Sequence, residues 1–471
     1  MRPLSYLSIK VPVYFAYMAQ QVEYEPRKLM DWLKRMPQLT RVMHRQKLVL
    51  TKKASALVIF QYLAVLVYAA LIGIICASLS LGFVVFILLF PLASLIALVS
   101  AIYAGQIISL PFDTMLIRRS RKIFAAHKGL KIVILGSYGK TSMKELLLET
   151  FEGNRKVKAT PGNKNVPISH ARWASRLNGD EEILLIELGE AKPGDIAGFC
   201  RNISPDMAIL TGVAPNHLDK YRTLDNLADD LSSIKEYVTQ DRIYVNYDAE
   251  SLFAKNRLDK KKVRLFGVSG SSGVSIKDVK VSLTGMSLTA VSDKKNMKLM
   301  TGMVGKHLIG PISVCLSLAL EIGLSEGEIK KAIRTTKPFE HRLQPKEIGG
   351  AWIIDDTYNG SLEGFRAGLE LLKELKAKRK IYVTPGLVDQ GEETENVHKE
   401  IGRLIAKCAP DRVVLINNSV TSYIKDSLEG SGYKGEIDLR DDPLEFYTNL
   451  EHMLAAGDIA LLQNDWTDNY A

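Results

Sequence analysis

The sequence predicts an α/β protein: a central P-loop parallel-sheet domain and a C-terminal Rossmann-like α/β domain, preceded by a two-helix transmembrane hairpin. Three observations predict this class. Residues 54–110 contain no Asp, Glu, Lys or Arg. From Lys131 onward short β-rich runs alternate with helical segments, and a second alternation of the same kind starts at Trp352. With 471 residues and 46% hydrophobic content, the chain can fill two or three separate cores.

The N-terminal element is defined by charge. Lys and Arg number 62 against 52 Asp and Glu, a net of +10. Residues 1–53 alone hold eleven Lys/Arg and three Asp/Glu, a net of +8, so +2 remains for everything after them. Basicity confined to one end and followed by an uncharged stretch points to a membrane surface and away from nucleic acid. A single helix over residues 54–110 would be roughly 85 Å long, whereas a bilayer core of ~30 Å needs about 20 residues, so two spans fit. They are expected near 55–79 and 84–108, with a turn at 78–82 and Pro91 early in the second. Arg45, Lys47, Lys52 and Lys53 precede the hairpin and Arg118, Arg119, Arg121 and Lys122 follow it. Positive charge on both flanks places both ends in the cytoplasm. The assignment is a basic cytoplasmic segment at 1–53 and a hairpin at 54–117, with the lipid bilayer as partner; the alternative is a buried core hairpin.

A cleaved signal peptide fits poorly, because the apolar stretch starts late and runs long. Cys76, Cys200, Cys315 and Cys408 are scattered with no C-x-x-C pair, which reads as buried, reduced thiols.

The central domain is assigned to 118–337. KIVILG, EILLIEL, MAILTGV and RIYVNY read as parallel strands with helical crossovers, and VRLFGV, VKVSLTG and SLTAVS within 262–304 as a small antiparallel flap. The C-terminal domain, 338–471, begins at a joint containing Pro338. WIIDD, KIYVTPG, RVVLINN and DIALLQ are its expected strands, with helices from Ser361 and at 396–408.

The sharpest chemical signal is Gly136-Ser137-Tyr138-Gly139-Lys140-Thr141-Ser142, between the strand KIVIL and a helix beginning near Thr141. Glycines let successive N–H groups turn toward a phosphate, and the helix N-terminus adds partial positive charge. Lys140 can reach the outer phosphates and Thr141 can hold Mg²⁺. Gly136, Ser137, Gly139, Lys140, Thr141 and Ser142 are therefore the candidate ATP contacts, although Ile134 stands where the longer G-x-x-x-x-G-K-[ST] pattern needs Gly. A Gly-Lys turn between strand and helix can also be only a turn.

Together with this loop, TPGN (160–163), IELGE (186–190), TGVAPNHLDKY (211–221), a Gly-Lys-His at 305–307, HRLQP (341–345) and IIDDTYNGSLEGF resemble the Mur ligase superfamily in order and spacing, over roughly 131–470. Within it, the chain is most similar to the type that adds D-alanyl-D-alanine to a muramoyl tripeptide. The resemblance implies ATP and Mg²⁺ as cofactors. It puts Lys140 on the ATP phosphates, Thr141 and Glu187 on magnesium, and His217 on a second magnesium or its water. Arg342 would reach the phosphates from the C-terminal side of the joint, Asp356 would lie near ribose and phosphates, and Tyr358 and Asn359 beside the base. Lys140, His217 and Arg342 are the implied catalytic set. Read without the family, His217 is a loop histidine, Glu187 a rim carboxylate, Arg342 a surface linker residue, and Asp356 a cap for the helix from Ser361.

The chain departs from the family in four places. Leu231 stands where a lysine, carbamylated in many members, is expected, and the nearest lysine is Lys235. Leu308 and Gly310 follow His307 where adenine-binding asparagines are expected. Asn464, Asp465 and Trp466 fill the place of a basic C-terminal turn. The hairpin stands where the family carries its UDP-sugar domain, which makes a lipid-linked substrate compatible with the sequence.

The expected function is an ATP-dependent carboxylate–amine ligase working through an acyl phosphate in cell-wall precursor synthesis at the membrane. A muramoyl-peptide-like or other carboxylate would be the acceptor and an amino acid or dipeptide the amine donor. A membrane-bound poly-γ-glutamate synthase type ligase and a catalytically silent nucleotide-binding scaffold are the alternatives. The expected topology is directly testable: cysteines scanned through the chain in intact cells should be labelled from outside only near residues 78–82. Labelling at either terminus would overturn the two-span reading.

Overall fold

The computed structural model describes residues 9–22, 24–35, 48–75, 79–162, 164–214, 218–292, 295–358, 360–387 and 390–464. They fall into two compact units that divide between Thr114 and Met115.

In the first unit, α1 (Val11–Gln21) and α2 (Pro26–Arg35) precede α3 (Lys52–Ile75) and the larger part of α4 (Leu79–Ala126), whose last residues from Met115 on belong to the second unit. The basic N-terminal segment is therefore more than a charged tail. α1 carries no charged residue and buries Val11, Phe15, Tyr17 and Met18, while α2 buries Leu29 and Trp32 and leaves Arg27, Lys28 and Lys34 exposed. Both helices join one apolar cluster with Leu57 and Val65 of α3 and Phe90, Leu98 and Ile102 of α4. α3 buries positions 54, 57, 61, 65 and 72, a stripe at helical spacing. Its other faces expose Ile59, Phe60, Leu63, Leu66 and Val67.

The expected turn at 78–82 is displaced. α3 ends at Ile75, and α4 starts at Leu79 and runs 48 residues through Pro91 and Pro111, well past the expected end at 108. Both helices are long and apolar enough to cross a bilayer.

One polar residue sits inside this apolar cluster. Gln61 is fully buried; its Nε2 donates to the carbonyls of Pro12 and Leu57 at 3.2 Å each, and its Oε1 accepts from Ser94 Oγ at 3.0 Å. The amide thereby ties α1, α3 and α4 together, and each bond replaces one that water would otherwise supply.

The second unit holds two sheets. The first is built from β1 (Leu130–Leu135), β2 (Val157–Ala159), β3 (Ile183–Glu187), β4 (Met207–Leu210), β5 (Ile243–Asn246), β6 (Arg264–Gly267), β7 (Gly270–Ser271), β8 (Val274–Ser282), β9 (Gly285–Ser292) and β10 (Lys295–Thr301), in the order β10-β9-β8-β7-β6-β5-β4-β1-β3-β2. Pairing is parallel from β2 to β6 and antiparallel from β6 to β10. The antiparallel run is thus a continuation of the same sheet, and VRLFGV is its turning point: β6 pairs parallel with β5 and antiparallel with β7.

Helices α5 (Lys140–Phe151), α6 (Pro167–Ala174), α7 (Asp195–Ile203), α8 (Leu218–Tyr221), α9 (Leu224–Ser232), α10 (Ile309–Glu321) and α11 (Glu326–Thr335) accompany this sheet. On β1, Ile132 and Ile134 belong to the core formed with α5, α10 and α11, whereas Val133 and Leu135 belong to the core formed with α6, α7 and α9. Burial on both faces is why this strand is a continuous apolar run.

The second sheet, in the order β11-β12-β16-β13-β14-β15, comprises β11 (Gln344–Ile348), β12 (Ala351–Asp356), β13 (Arg379–Thr384), β14 (Arg412–Ile416), β15 (Glu436–Arg440) and β16 (Asp458–Gln463). Only β11 is antiparallel. The accompanying helices are α12 (Leu362–Glu374), α13 (Thr394–Cys408), α14 (Thr421–Gly430) and α15 (Pro443–Met453). β11 and β15 were not expected: they are the two edge strands, half open to solvent, and β11 contains Pro345, which an edge tolerates.

Removing one partner of a buried amide leaves the other unsatisfied. Ser94→Ala should therefore lower the stability of the full-length chain in detergent by about 1–2 kcal/mol in denaturant titration. Gln61→Leu combined with Ser94→Ala should recover part of that loss, because no orphaned acceptor remains. Strictly additive losses would mean that the two side chains do not interact.

Candidate active site

β1 lies between β3 and β4, and the crevice at the carboxyl ends of such strands is where open α/β sheets bind ligands. The loop leaving β1 has little freedom. Gly136 has φ +134°, and a Cβ there would lie 2.5 Å from Thr211 Oγ1 and 2.8 Å from the Gly212 carbonyl. Gly139, at φ +74°, is the N-cap of α5. Ser137 N–H donates to Gly212 O at 2.8 Å, and the Thr211 hydroxyl reaches the carbonyls of Leu135 and Tyr138. The loop is thus sewn to the end of β4, with Lys140, Thr141 and the half-buried Ser142 opening α5.

Two lysines one turn apart on α5 face two carboxylates at the end of β3. Lys140 Nζ is 2.9 and 2.8 Å from the two oxygens of Glu190 and also donates to Gly136 O. Lys144, with no exposed surface, lies 3.2 Å from Glu187 Oε2 and donates to Gly162 O. Glu187 Oε1 accepts from Thr141 Oγ1 at 3.1 Å and from Asn165 Nδ2 at 3.4 Å. The Glu187 backbone is fixed as well: its N–H donates to Thr160 Oγ1 at 3.0 Å and its carbonyl accepts from His170 Nε2 at 2.9 Å. Burial pushes the His170 ring down to about 4, so it is neutral, and with no partner at Nδ1 the proton sits on Nε2.

Thr141 and Glu187, implied as magnesium ligands, are therefore adjacent. Glu187 Oε2 is buried and receives no hydrogen bond, although the Lys144 ammonium lies beside it. A hydroxyl and a carboxylate with a free lone pair are the hard oxygen donors that Mg²⁺ takes, so these residues fit the ion. His217 lies outside the described residues. Leu231, at the expected carbamylated-lysine position, is buried in the core beside α7, and Lys235 turns away to donate to Arg257 O at 2.6 Å.

The C-terminal residues come together around Arg342. Its neighbours His341 and Leu343 both adopt left-handed backbone, with φ of 58° and 45°. The guanidinium lies over the Tyr358 ring, 4.8 Å from its centroid. Burial lowers its proton affinity, opposed by Tyr358, Asp356, Glu187 and Glu145, so the carboxylates around α5 act on it electrostatically.

Asp355 and Asp356 alternate in direction. Asp355 pairs with His341 and Lys346, at 2.9 and 2.8 Å. Asp356 accepts from Leu343 N–H at 3.2 Å and from Gln463 Nε2 at 2.8 Å. Neither caps α12, because Ser361 does so itself, accepting from Gly364 N–H at 3.1 Å. Asn359 lies outside the described residues.

Sequence reasoning did not single out Glu190, Lys144, Asn165 or Gln463. The spacing of Lys140 and Lys144 on one helix face was a usable signal; nothing in the sequence pairs Gln463 with Asp356, 107 positions away.

Residues 134–319 match the Mur ligase middle domain family. The chain is 26% identical over 369 residues to a UDP-N-acetylmuramoyl-tripeptide–D-alanyl-D-alanine ligase of Mycobacterium leprae, covering 71% of each chain. To the enzyme of that name from Mycobacterium tuberculosis H37Rv it is 26% identical over 323 residues, 65% of this chain and 63% of the relative. MurF from Acinetobacter baumannii superposes with a TM-score of 0.65 at 20% identity, covering 75% of this chain and 77% of that one. MurF ligase from Thermotoga maritima in complex with ADP gives 0.64 at 23% identity, over 75% and 80%. The family match is confined to residues 134–319, and the second unit has the fold of those structures.

Asp356 offers a pH test of the C-terminal cluster. Burial pushes its carboxyl up to about 7, against the opposing pull of Gln463, the Leu343 N–H and Arg342. Its ordinary value is 3.8, so between the two the folded state holds a proton that the unfolded state has lost. The stability it contributes is full below the ordinary value and is lost as pH rises through about 7. Asp356→Asn cannot ionise, so its melting temperature relative to wild type should be more favourable at pH 8 than at pH 5. Equal differences at both pH values would mean that Asp356 is charged throughout.

Proposed function

We propose that this chain is an ADP-forming ligase of the Mur ligase type that activates a carboxylate on a muramoyl-peptide-like acceptor as an acyl phosphate and joins it to an amino acid or dipeptide amine. The observation that carries this reading is the Thr141 hydroxyl set on the Glu187 carboxylate at the start of the helix that Lys140 opens, and Arg342, held over the Tyr358 ring, is assigned to the phosphates by the resemblance. A carboxylate attacking a γ-phosphate brings anions together, so cations must be held where charge accumulates. Lys140 would take the outer phosphates, and the loop 136–142 would present N–H groups at the start of α5. Arg342 would grip phosphate oxygens with its planar fork. Magnesium, held by Thr141 and Glu187, would supply further charge neutralisation on the phosphates, and the resemblance assigns His217 to a second magnesium or its water. Asp356, Tyr358 and Asn359 would line the nucleoside end. The amine then displaces phosphate from the acyl phosphate, leaving the amide, phosphate and ADP.

The relatives' names support peptidoglycan precursors as the substrate class and D-alanyl-D-alanine as the first amine donor to try. We further propose that α3 and α4 span the bilayer as a two-pass anchor with the catalytic domains in the cytoplasm. The wide apolar outer faces of these helices support this, because water tolerates exposed apolar patches of only a few hundred Å². A lipid-linked acceptor is compatible with such an anchor.

The test is ADP release by the full-length chain in detergent, across muramoyl peptides and amine donors. Turnover should need both substrates, and Lys140→Ala should lower it by about a hundredfold to a thousandfold. Arg342→Lys should lower turnover about tenfold or more while ATP affinity changes little, because lysine keeps the charge and loses the fork. ATP binding without substrate-dependent turnover would leave a nucleotide-binding scaffold; equal losses of turnover and affinity would make Arg342 a ground-state ligand.

A further inference from the structure

The candidate site contains a carboxylate that the reading above does not use. Glu190 is 3% exposed, and among the described residues its only hydrogen-bond donor is Lys140. An ammonium has three protons, and those of Lys140 are directed at the two oxygens of Glu190 and at Gly136 O. None is left for a phosphate. The lysine that would bind nucleotide is therefore occupied, and an incoming phosphate has to take it from Glu190.

That exchange has an electrostatic consequence. Once Lys140 moves, Glu190 is a buried anion without its partner, facing the phosphates that displaced it, and a buried charge stripped of its counter-ion is strongly unfavourable. Lys144 cannot substitute, because it is held by Glu187, Glu145 and the Gly162 carbonyl. A nucleotide whose phosphates already carry a divalent cation brings its own compensating charge to the place where Glu187 Oε2 has no hydrogen bond.

We propose that Glu190 is a positioning residue that holds Lys140 at rest and so selects the divalent-cation complex of a nucleotide over the free nucleotide. This inference rests on the reading of residues 136–142 as a phosphate cradle. Glu190 acts as a competing anion: it lowers affinity for bare phosphates and, by keeping Lys140 ordered beside Gly136, presents the lysine once a compensated ligand arrives.

Calorimetric titration of the full-length chain in detergent with ADP, in Mg²⁺ and in EDTA, separates the possibilities. Wild type should bind ADP far more weakly in EDTA. Glu190→Gln removes the competing charge and should tighten binding in EDTA by about tenfold while changing it little in Mg²⁺, so the ratio between the two conditions collapses. Glu190→Asp, one methylene too short to hold both bonds, should shift in the same direction by about threefold, and it decides the matter if the Gln variant has no cooperative melting transition. An unchanged ratio in the folded variants would overturn the proposal and leave the cradle standing, and weaker binding under both conditions would reduce Glu190 to a structural support. If wild type binds no ADP, or Lys140→Ala binds it equally well, the cradle reading itself fails.

Discussion

Lys144 has no exposed surface and Glu187 almost none, and a pair of opposite charges buried this deeply tolerates very little displacement. Much of the crevice follows from holding them in place. Ile134 of β1 pairs with Glu187 of β3, so the register of that strand pair sets the height of the carboxylate above the loop. α5 has to begin at Lys140 for its first two turns to present Lys140, Thr141 and Lys144 on the side of β3, and Gly139 in the left-handed region lets the chain turn into the helix there. A one-residue slip between β1 and β3 would carry Glu187 to the opposite face of the sheet and leave Lys144 unpaired in the core.

The fold was legible where burial forces a pattern. β1, β3, β4 and β5 are apolar on both faces and announce themselves as parallel strands, and the 57 uncharged residues announce a helical hairpin. It was illegible where burial is partial. β11 and β15 lie on the edges of their sheet, and VRLFGV looks alike whether its neighbour is parallel or antiparallel, since the two pairings differ in hydrogen bonds and not in side-chain period. α1 was hidden for another reason: it is short, and its apolar residues are interpretable only once α3 and α4 exist to cover them.

At the candidate site, the loop motif by itself pointed to Lys140 and Thr141, whereas Glu187 was implied only by the family resemblance of IELGE. The ion-pair pattern was not readable, because it depends on which oxygen faces which nitrogen. Gln463 and Asp356, 107 positions apart, meet only because β16 inserts between β12 and β13. Long-range strand order of that kind leaves no local trace in the sequence.

The two left-handed residues on either side of Arg342 bear on how this chain can change over time. Single non-glycine residues in that region carry a conformational cost that surrounding contacts have to sustain, and here they aim one side chain from the joint toward Tyr358 and Asp356. Direction is thus written into the backbone of the neighbours more than into the rotamer of Arg342. Gaining or losing one residue between Phe339 and Gln344 would point the guanidinium elsewhere, although the segment reads as an ordinary connector in which length variation is usually harmless. Drift in this short connector is therefore constrained in length before it is constrained in chemistry.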